Sequence, residues 1–342
     1  MSDVILLAHG SGGLLSQELV ETIFLPHLGH PDGPLEDAAE IALAPGRVVM
    51  TTDGYVVRPL TFPGGDIGTL AVCGTVNDLA MRGARPLYLT AGFILEEGFP
   101  LAELDRLVAS MARAAADAGV RVVAGDTKVV ERGAADGLFI TTAGVGVVPE
   151  GVRISAAGAR PGDVVLLSGS VGDHGLAILA QREGLGFGPA EPGPSPLQSD
   201  CAPLHGLVAA MLAAGGASIH ALRDPTRGGL ATALNELAHA SDVTMTIDEA
   251  AVPIHDAVRA ACDLLGLDPL YAANEGKLIA IAAPEAAEAT LAAMRAHPLG
   301  AEAAAIGRVH AGREVGRVVV RTPLGTHRLL DALTGEQLPR IC

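Results

Sequence analysis

Tryptophan is absent from the 342-residue sequence, and aromatic residues make up only 3% of it. The cores must therefore be built from Ala, Val, Leu and Ile, which dominate the 49% of residues that are hydrophobic. That share is too high for an intrinsically disordered chain, and the length suffices for two domains with their own cores. The composition indicates a soluble α/β protein.

Positive charge is scarce, with 23 Lys and Arg residues against 39 Asp and Glu residues and a formal net charge of -16. Nucleic acids require a basic surface, so a nucleic-acid-binding function is excluded. A smaller anionic ligand would have to be held by local metal ions or by backbone amides.

Targeting and membrane signals are also missing. No apolar run approaches the roughly 18 residues of a membrane span. The N-terminal MSDVILLAHGSGG has neither a basic region nor a small-residue cleavage site, so we expect no signal peptide. The four cysteines are widely spaced and form no CxxC pair, which favours the reducing cytoplasm over a disulfide framework.

Two halves alternate β-branched runs with Ala/Leu helical patterns, and they predict two domains. We expect a glycine-rich segment at 1–40, a first domain at 41–150, a second at 151–330 and a mobile tail at 331–342. The Gly/Pro-rich stretch 184–199 is predicted to be a long loop and a mobile insert. The predicted strands are 47–52, 87–93, 120–124, 138–148, 164–168, 243–247, 277–282, 304–309 and, as a last edge strand, 318–321; the predicted helices are 69–81, 101–118, one ending near 184, 204–214, 229–240, 254–265 and 284–296.

The last residue of the sequence is Cys342, after Pro339-Arg340-Ile341. Terminal residues are seldom buried, so we expect this thiol to be exposed. A free thiol with a pKa of about 8.5 supplies some thiolate, the nucleophilic form, near neutrality. The tail alone leaves an incidental thiol and a reactive one equally open. Cys73 and Cys262 lie in apolar helical contexts and are expected to be buried.

A glycine-rich loop, His9-Gly10-Ser11-Gly12-Gly13, lies near the N-terminus. Glycines allow backbone amides to surround an anion, as in phosphate-binding nests. The loop is neither a Walker A motif nor a GxGxxG motif, and by itself it fits a plain turn equally well.

Acidic residues recur beside small polar residues: Asp53 in TTDGYVV, Asp78 in GTVNDLA, Asp126 in AGDTKVV and Asp224 in RDPTRGG. Each alone could be a helix cap or a turn residue, but together they are typical of a site for Mg²⁺ and phosphates. Charged residues nearby in the sequence, Lys128 and the Glu275 and Lys277 of NEGK, could move protons or stabilise charge.

These motifs together resemble one family. HGSGG, TTDGYVV, FPGGDIGTLAVCGTVNDLAMRGARP, AGDTKVV, DPTRGGLATALNE, NEGK and the terminal PRIC occur in the order seen in HypE, the carbamoyl dehydratases of hydrogenase maturation. The ordered set spans nearly the whole sequence, without a departure in these motifs.

The resemblance implies the two-domain α/β fold of aminoimidazole ribonucleotide synthetase, with a first domain that dimerises and binds ATP. It implies that Cys342 accepts a carbamoyl group from HypF, and that ATP drives its dehydration to a thiocyanate. The cyanide would then pass to iron on a HypC–HypD scaffold for NiFe-hydrogenase. By the same analogy, Mg²⁺ would be held by Asp53, Asp78, Asp224 and Asp126. The nucleotide would contact the His9 to Gly13 loop, Thr52 and Asn77. Proton transfer and charge stabilisation would be shared between Glu275 and Lys128.

Two other functions fit parts of the sequence. A small-molecule kinase or synthetase of the same superfamily, such as thiamine monophosphate kinase or selenophosphate synthetase, would use the acidic motifs but not Cys342. A non-enzymatic adaptor could use the tail to bind iron or a partner, but it would have no use for carboxylates that bind Mg²⁺.

Overall fold

Residues 3–29, 38–185, 195–312 and 316–335 are described by the computed structural model. They form a four-stranded sheet in the first half, a seven-stranded sheet in the second, and a two-stranded ribbon. The strands are β1 (Arg47–Tyr55), β2 (Thr61–Phe62), β3 (Gly65–Asp66), β4 (Arg85–Glu96), β5 (Arg121–Val130), β6 (Leu138–Val148), β7 (Val164–Leu167), β8 (Ile219–Arg223), β9 (Thr244–Asp248), β10 (Ile279–Ala282), β11 (Ala304–His310), β12 (Arg317–Arg321) and β13 (His327–Leu330).

Helices cover one face of the first sheet and both faces of the second. The α-helices are α1 (Leu14–Leu19), α2 (Leu25–Leu28), α3 (Ile67–Met81), α4 (Leu101–Asp117), α5 (Asp173–Arg182), α6 (His205–Gly215), α7 (Gly229–Ala240), α8 (Asp256–Leu265) and α9 (Pro284–Ala296). A π-helical turn, Val20–Phe24, joins α1 to α2. Among the described residues, no helix is both long and apolar enough to cross a membrane.

The first sheet has the strand order β1-β6-β4-β5, with only the β4–β5 pair parallel. Its strands alternate, so that Leu89, Phe93 and Ile140 face α3 and α4 in one core. The opposite face of this sheet is open. Val48 and Met50 on β1 project there, and Met50 is 71% exposed.

The second sheet has the order β13-β12-β9-β11-β7-β10-β8. Alternate residues of β7 enter different cores: Val165 and Leu167 pack on the α7 side, whereas Val164 and Leu166 pack on the α6 and α9 side. This burial on both faces explains why β7 reads as a continuous apolar run.

The predicted edge strand 318–321 is wrong in its position. Strand β12 has a neighbour on each side, because β13 pairs with it antiparallel and forms the edge of the sheet. The short strands β2, β3, β8 and β13 and the N-terminal helices α1 and α2 were not predicted. Four or five residues with mixed polarity, such as His327–Leu330, give too short a pattern to indicate a strand.

The predicted loop at 184–199 is only partly described, since residues 186–194 lie outside the described ranges. Its C-terminal side contacts both halves: Ser199 N donates to Pro63 O of the first half at 2.8 Å, and Ser199 Oγ hydrogen bonds with His174 Nδ1 on α5 at 2.8 Å. This side of the loop is therefore fixed to the body of the protein.

The tail was predicted to be loose from Asp331 onward, but its first residues are held. Tyr271 Oη donates to Asp331 O at 2.9 Å, and Leu333 N donates to Thr232 Oγ1 at 3.2 Å. Cys342, like the rest of 336–342, lies outside the described residues.

The contact between α3 and α4 is central to the first core, and it yields a stability prediction. Leu107 is 1% exposed on α4, whereas Leu264 on α8 is 74% exposed. We expect Leu107→Ala to lower the free energy of unfolding by about 2–5 kcal/mol, because it leaves a cavity. Urea denaturation measures this change. Leu264→Ala is the matched control and should change it by less than about 1 kcal/mol; equal losses would contradict the assigned packing.

Candidate active site

The first two carboxylates of the site come from β1 and α3. Strand alternation places Thr51, Asp53 and Tyr55 on the side of β1 that faces α3. Thr51 Oγ1 donates to Asp78 Oδ2 at 2.6 Å, and Tyr55 Oη donates to Asp53 Oδ2 at 3.3 Å. Burial, and next the negative charge of Asp78, raise the pKa of Asp53. The two carboxylates are thus close enough to repel each other.

Asp224 and Glu275 approach this pair from the second half of the chain. Asp224 follows β8, and Asn274 Nδ2 donates to Pro225 O at 2.9 Å, which joins the Asp224 loop to the Glu275 segment. Burial, and next the charge of Asp78, raise the pKa of Asp224 to about 7. Burial and the charge of Asp224 raise the pKa of Glu275 well above its ordinary value.

These four residues, Asp53, Asp78, Asp224 and Glu275, form what we call the acidic cluster. Their mutual repulsion is offset in part by Arg227, whose positive charge acts to lower the pKa of Asp53. Oxygen ligands crowded together in this way suit a hard divalent cation such as Mg²⁺. In the described ranges, however, no three His, Cys, Asp or Glu side chains are already grouped as a metal site.

Asn77 lies one residue before Asp78 on α3, and it joins the two halves of the molecule. Its Nδ2 donates to the carbonyls of Ala202 and Glu275, both at 3.1 Å, and its Oδ1 accepts from Leu204 N at 2.7 Å. The sequence predicts Asn77 as a nucleotide contact. In this structure its amide is occupied by bonds that fix Glu275 against α3.

Another set of predicted residues lies at the β5 edge of the first sheet. Gly10 packs directly on β5, since a Cβ at this position would come within 2.7 Å of Val129 N. Lys128 Nζ lies 2.7 Å from Asp126 Oδ2, and both side chains are more than 60% exposed. The hydrogen bond from Lys128 lowers the pKa of Asp126. We call the His9 to Gly13 loop with Asp126 and Lys128 the β5-edge group.

Within one chain, the β5-edge group is separated from the acidic cluster. Asp53 on β1 pairs with Thr142 on β6, Thr142 pairs with Ala91 on β4, and Ala91 pairs with Gly125 on β5. Asp53 and Gly125 are therefore three strand spacings, or about 14 Å, apart across the sheet. Asp126, the residue after Gly125, points to the opposite, open face of the sheet. Thr52 also lies on the side of β1 opposite Asp53, where its Oγ1 donates to Thr142 O at 2.9 Å. The sequence motifs give no indication of this division.

The sequence interpretation missed several residues around Glu275. Asp200 Oδ2 lies 3.1 Å from Lys277 Nζ, and the neighbouring thiol of Cys73, together with burial, raises the pKa of the Cys201 thiol well above its ordinary value. Cys73 is buried, as is Cys262, and this confirms the prediction for both. The spacing of Cys73 and Asn77, one helical turn apart, could have indicated a shared face of α3, but nothing in the sequence points to Asp200 as their neighbour.

The held part of the tail lies next to the segments that carry the site. Thr232, which accepts from Leu333 N, packs over Gly228 in the loop that begins at Asp224. Tyr271, which donates to Asp331 O, precedes Glu275 by four residues. Residues Asp331 to Leu333 therefore lie beside the two segments that supply Asp224 and Glu275.

Comparison with known proteins gives the same two-part organisation. Family models for the AIR synthase related protein match at residues 35–148 (N-terminal domain) and 160–320 (C-terminal domain). The carbamoyl dehydratase HypE of Azotobacter vinelandii is 60% identical over 98% of this chain and 96% of its own. The chain belongs to the HypE family of carbamoyl dehydratases.

Solved structures of HypE share the fold closely. The crystal structure of a hydrogenase maturation protein HypE in complex with ATP has a TM-score of 0.92 and 53% identity, and covers 98% of this chain and 99% of its own. A HypE–HypF complex has a TM-score of 0.79 and 45% identity over 94% of this chain and all of the matched chain. Thiamine-monophosphate kinase from Stenotrophomonas maltophilia shares the fold alone. Its TM-score is 0.66 at 20% identity, over 95% of this chain and 98% of its own.

The raised pKa of Asp224 predicts how stability depends on pH when nucleotide and metal are absent. The folded state favours protonated Asp224, so this contribution is complete below about pH 4 and is lost as the pH rises through about 7. We expect Asp224→Asn to flatten that dependence and to raise the free energy of unfolding at pH 8 by a few kcal/mol, on the scale of about 1.4 kcal/mol per pKa unit. Denaturant melts in EDTA between pH 4 and 8 measure it.

Asp126→Asn is the matched control, because the pKa of Asp126 is lowered rather than raised. Its carboxylate stabilises the folded state above the ordinary pKa, and that contribution is lost as the pH falls. The control should therefore show a small loss of stability near neutral pH. An Asp224→Asn protein with the pH dependence of the unmodified protein would contradict the burial assigned to Asp224.

Proposed function

We propose that this protein uses ATP to dehydrate a carbamoyl group carried on the sulfur of Cys342, giving an S-cyano group. The observation that carries the proposal is that the held part of the tail, Asp331 to Leu333, lies beside the loops of Asp224 and Glu275. Eight residues lie between Leu333 and Cys342, and the nine steps of an extended chain from one to the other span about 30 Å. We propose that this length brings the thiol to its own acidic cluster.

The chemistry explains the need for ATP. A carboxamide does not lose water readily, because hydroxide is a poor leaving group. Transfer of the γ-phosphoryl group to the amide oxygen turns that oxygen into part of a phosphate. Removal of the N–H protons then allows the C≡N bond to form as phosphate leaves, so that ATP yields ADP and phosphate for each cyano group.

Glu275 is the proton acceptor that we propose for this step. Its carboxyl is 4% exposed, and its raised pKa means that the ionised form has a high affinity for a proton. Asn77 and Asp200 fix the backbone of Glu275 on both sides, through its O and its N. Mg²⁺ held by Asp53, Asp78 and Asp224 would neutralise phosphate charge.

The β5-edge group fits this proposal if the protein is a homodimer. The open face of the first sheet exposes Val48 and Met50, which a second copy would cover. Asp126 and Lys128 lie on that same face, away from their own acidic cluster. We therefore propose that Lys128, Asp126 and the His9 to Gly13 loop act at the acidic cluster of the second copy, as a charge-stabilising lysine, a fourth carboxylate and a phosphate contact.

The partners follow from the same chemistry. We propose that HypF supplies the carbamoyl group, that an iron-bearing HypC–HypD scaffold receives the cyanide for NiFe-hydrogenase, and that these steps take place in the cytoplasm. The two alternatives have less support. A small-molecule kinase shares only the fold, and an adaptor leaves the acidic cluster without a role.

Mass spectrometry of the tail tests the proposed reaction. With HypF, carbamoyl phosphate and ATP, we expect the C-terminal peptide to gain a carbamoyl group on Cys342 and then to lose the mass of one water. Cys342→Ala should form neither adduct, whereas Cys262→Ala, which removes a buried thiol, should form both. An unmodified tail in the presence of active HypF would contradict the proposal and favour a diffusible substrate.

Mixed dimers test the placement of Lys128. Lys128→Met and Glu275→Gln should each abolish dehydration in a homodimer. A heterodimer of the two, purified through different tags, should regain about half of the unmodified activity, because one of its two sites has both residues intact. An inactive heterodimer, or a monomer in light scattering at micromolar concentration, would contradict the arrangement.

A further inference from the structure

Asp200 is a buried carboxylate whose part in the reaction described above is so far limited to the hydrogen bond from Glu275 N. Its side chain is 4% exposed. Oδ1 accepts a hydrogen bond from Glu275 N at 2.9 Å, and Oδ2 accepts one from Lys277 Nζ at 3.1 Å. One carboxylate thus holds both ends of the segment Glu275-Gly276-Lys277.

The segment cannot move away from Asp200 without losing close packing. A Cβ on Gly276 would lie 1.7 Å from Asp200 O, so only glycine fits where the segment of Gly276 meets the segment of Asp200. Ser199 is fixed in turn by His174 and by Pro63 O, and Ala202 O accepts from Asn77. Asp200 is therefore presented to Glu275 from a rigid support.

The charge of Asp200 matters because Lys277 is itself largely buried, with 14% of its side chain exposed. A buried ammonium group is costly unless a carboxylate pairs with it. Glu275 lies two residues from Lys277 in the sequence, and we expect its carboxyl group to compete for the ammonium if Asp200 does not provide the charge. A glutamate in an ion pair with lysine is held in its ionised form and is a poor proton acceptor.

We propose that Asp200 is a positioning residue for the dehydration, which fixes the backbone of Glu275 and binds the Lys277 ammonium so that it does not pair with Glu275. This inference rests on the proposed role of Glu275. The negative charge of Asp200 also contributes to the raised pKa of Glu275, after burial and Asp224, in line with that role.

Asp200→Asn tests the inference, because asparagine keeps the shape and an acceptor oxygen but removes the charge. We expect kcat for water loss from the carbamoylated tail to fall about tenfold or more, as for a lost hydrogen bond to a charged group. The KM for ATP should be unchanged, since Asp200 makes no bond to Asp53, Asp78 or Asp224 in the described structure. Adding Lys277→Gln should restore part of kcat, because it removes the ammonium that would pair with Glu275.

Asp163→Asn is the matched control. Asp163 is similarly buried and accepts from a side-chain nitrogen, His220 Nδ1, and a backbone amide, Arg160 N, both at 2.8 Å. We expect this variant to lose thermal stability but to keep kcat. A purely structural role for Asp200 predicts instead that both variants lose stability and that Lys277→Gln restores nothing.

The outcomes separate this inference from the proposed function. If the unmodified protein does not lose water from a carbamoylated tail, the proposed function fails. If it does, and Asp200→Asn has the same kcat or the double variant is no faster than the single one, the role of Asp200 is overturned. If Asp200→Asn does not fold, the test uses the double variant of Asp200→Asn and Lys277→Gln. A kcat within about tenfold of that of the unmodified protein supports the inference, and a larger loss overturns it.

Discussion

The three hydrogen bonds of Asn77 are the interaction on which the site depends. They cross from α3 in the first half to Ala202, Leu204 and Glu275 in the second. A side-chain amide offers two donors and one acceptor group, and here each is used in a buried position. Leaving such groups unpaired in the interior costs about 1–3 kcal/mol each, so the two halves are held in one arrangement. These bonds help to keep Asp53 and Asp78 facing Asp224 and Glu275.

That arrangement brings like charges together, and this cost has a functional meaning. Burial and the neighbouring carboxylates raise the pKa values of Asp53, Asp224 and Glu275. A site of this kind is destabilised until a cation or a proton is bound, and any ligand that relieves the repulsion stabilises the fold by mass action. The same carboxylates thus lower the stability of the free protein and favour the binding of a cation, as is common at active sites.

Much of the fold could be predicted from the sequence, because periodic patterns are local. The 101–118 pattern became α4, and the β-branched run at 47–52 became part of β1. The motifs also identified the family. They could not show that Asp53 and Lys128 lie on opposite faces of one sheet, because that depends on strand order and register, which link residues far apart in the sequence. Asp200 escaped for the same reason: its partners, Glu275 and Lys277, are more than 70 residues away.

An enzyme whose substrate is carried on its own tail has different requirements from one that binds a free molecule. In the proposed reaction, the bonds at Asp331 and Leu333 would fix the start of the chain that leads to Cys342 and keep its carbamoyl group near the acidic cluster. Attachment of the carbamoyl group to its own enzyme would give that group an effective concentration in the millimolar range without any contact to the group itself. Tight binding of that group would add little, and it would hinder the visits of the same sulfur to the donor and the acceptor. The proposed separation of a fixed acidic cluster from a tethered thiol would meet both requirements.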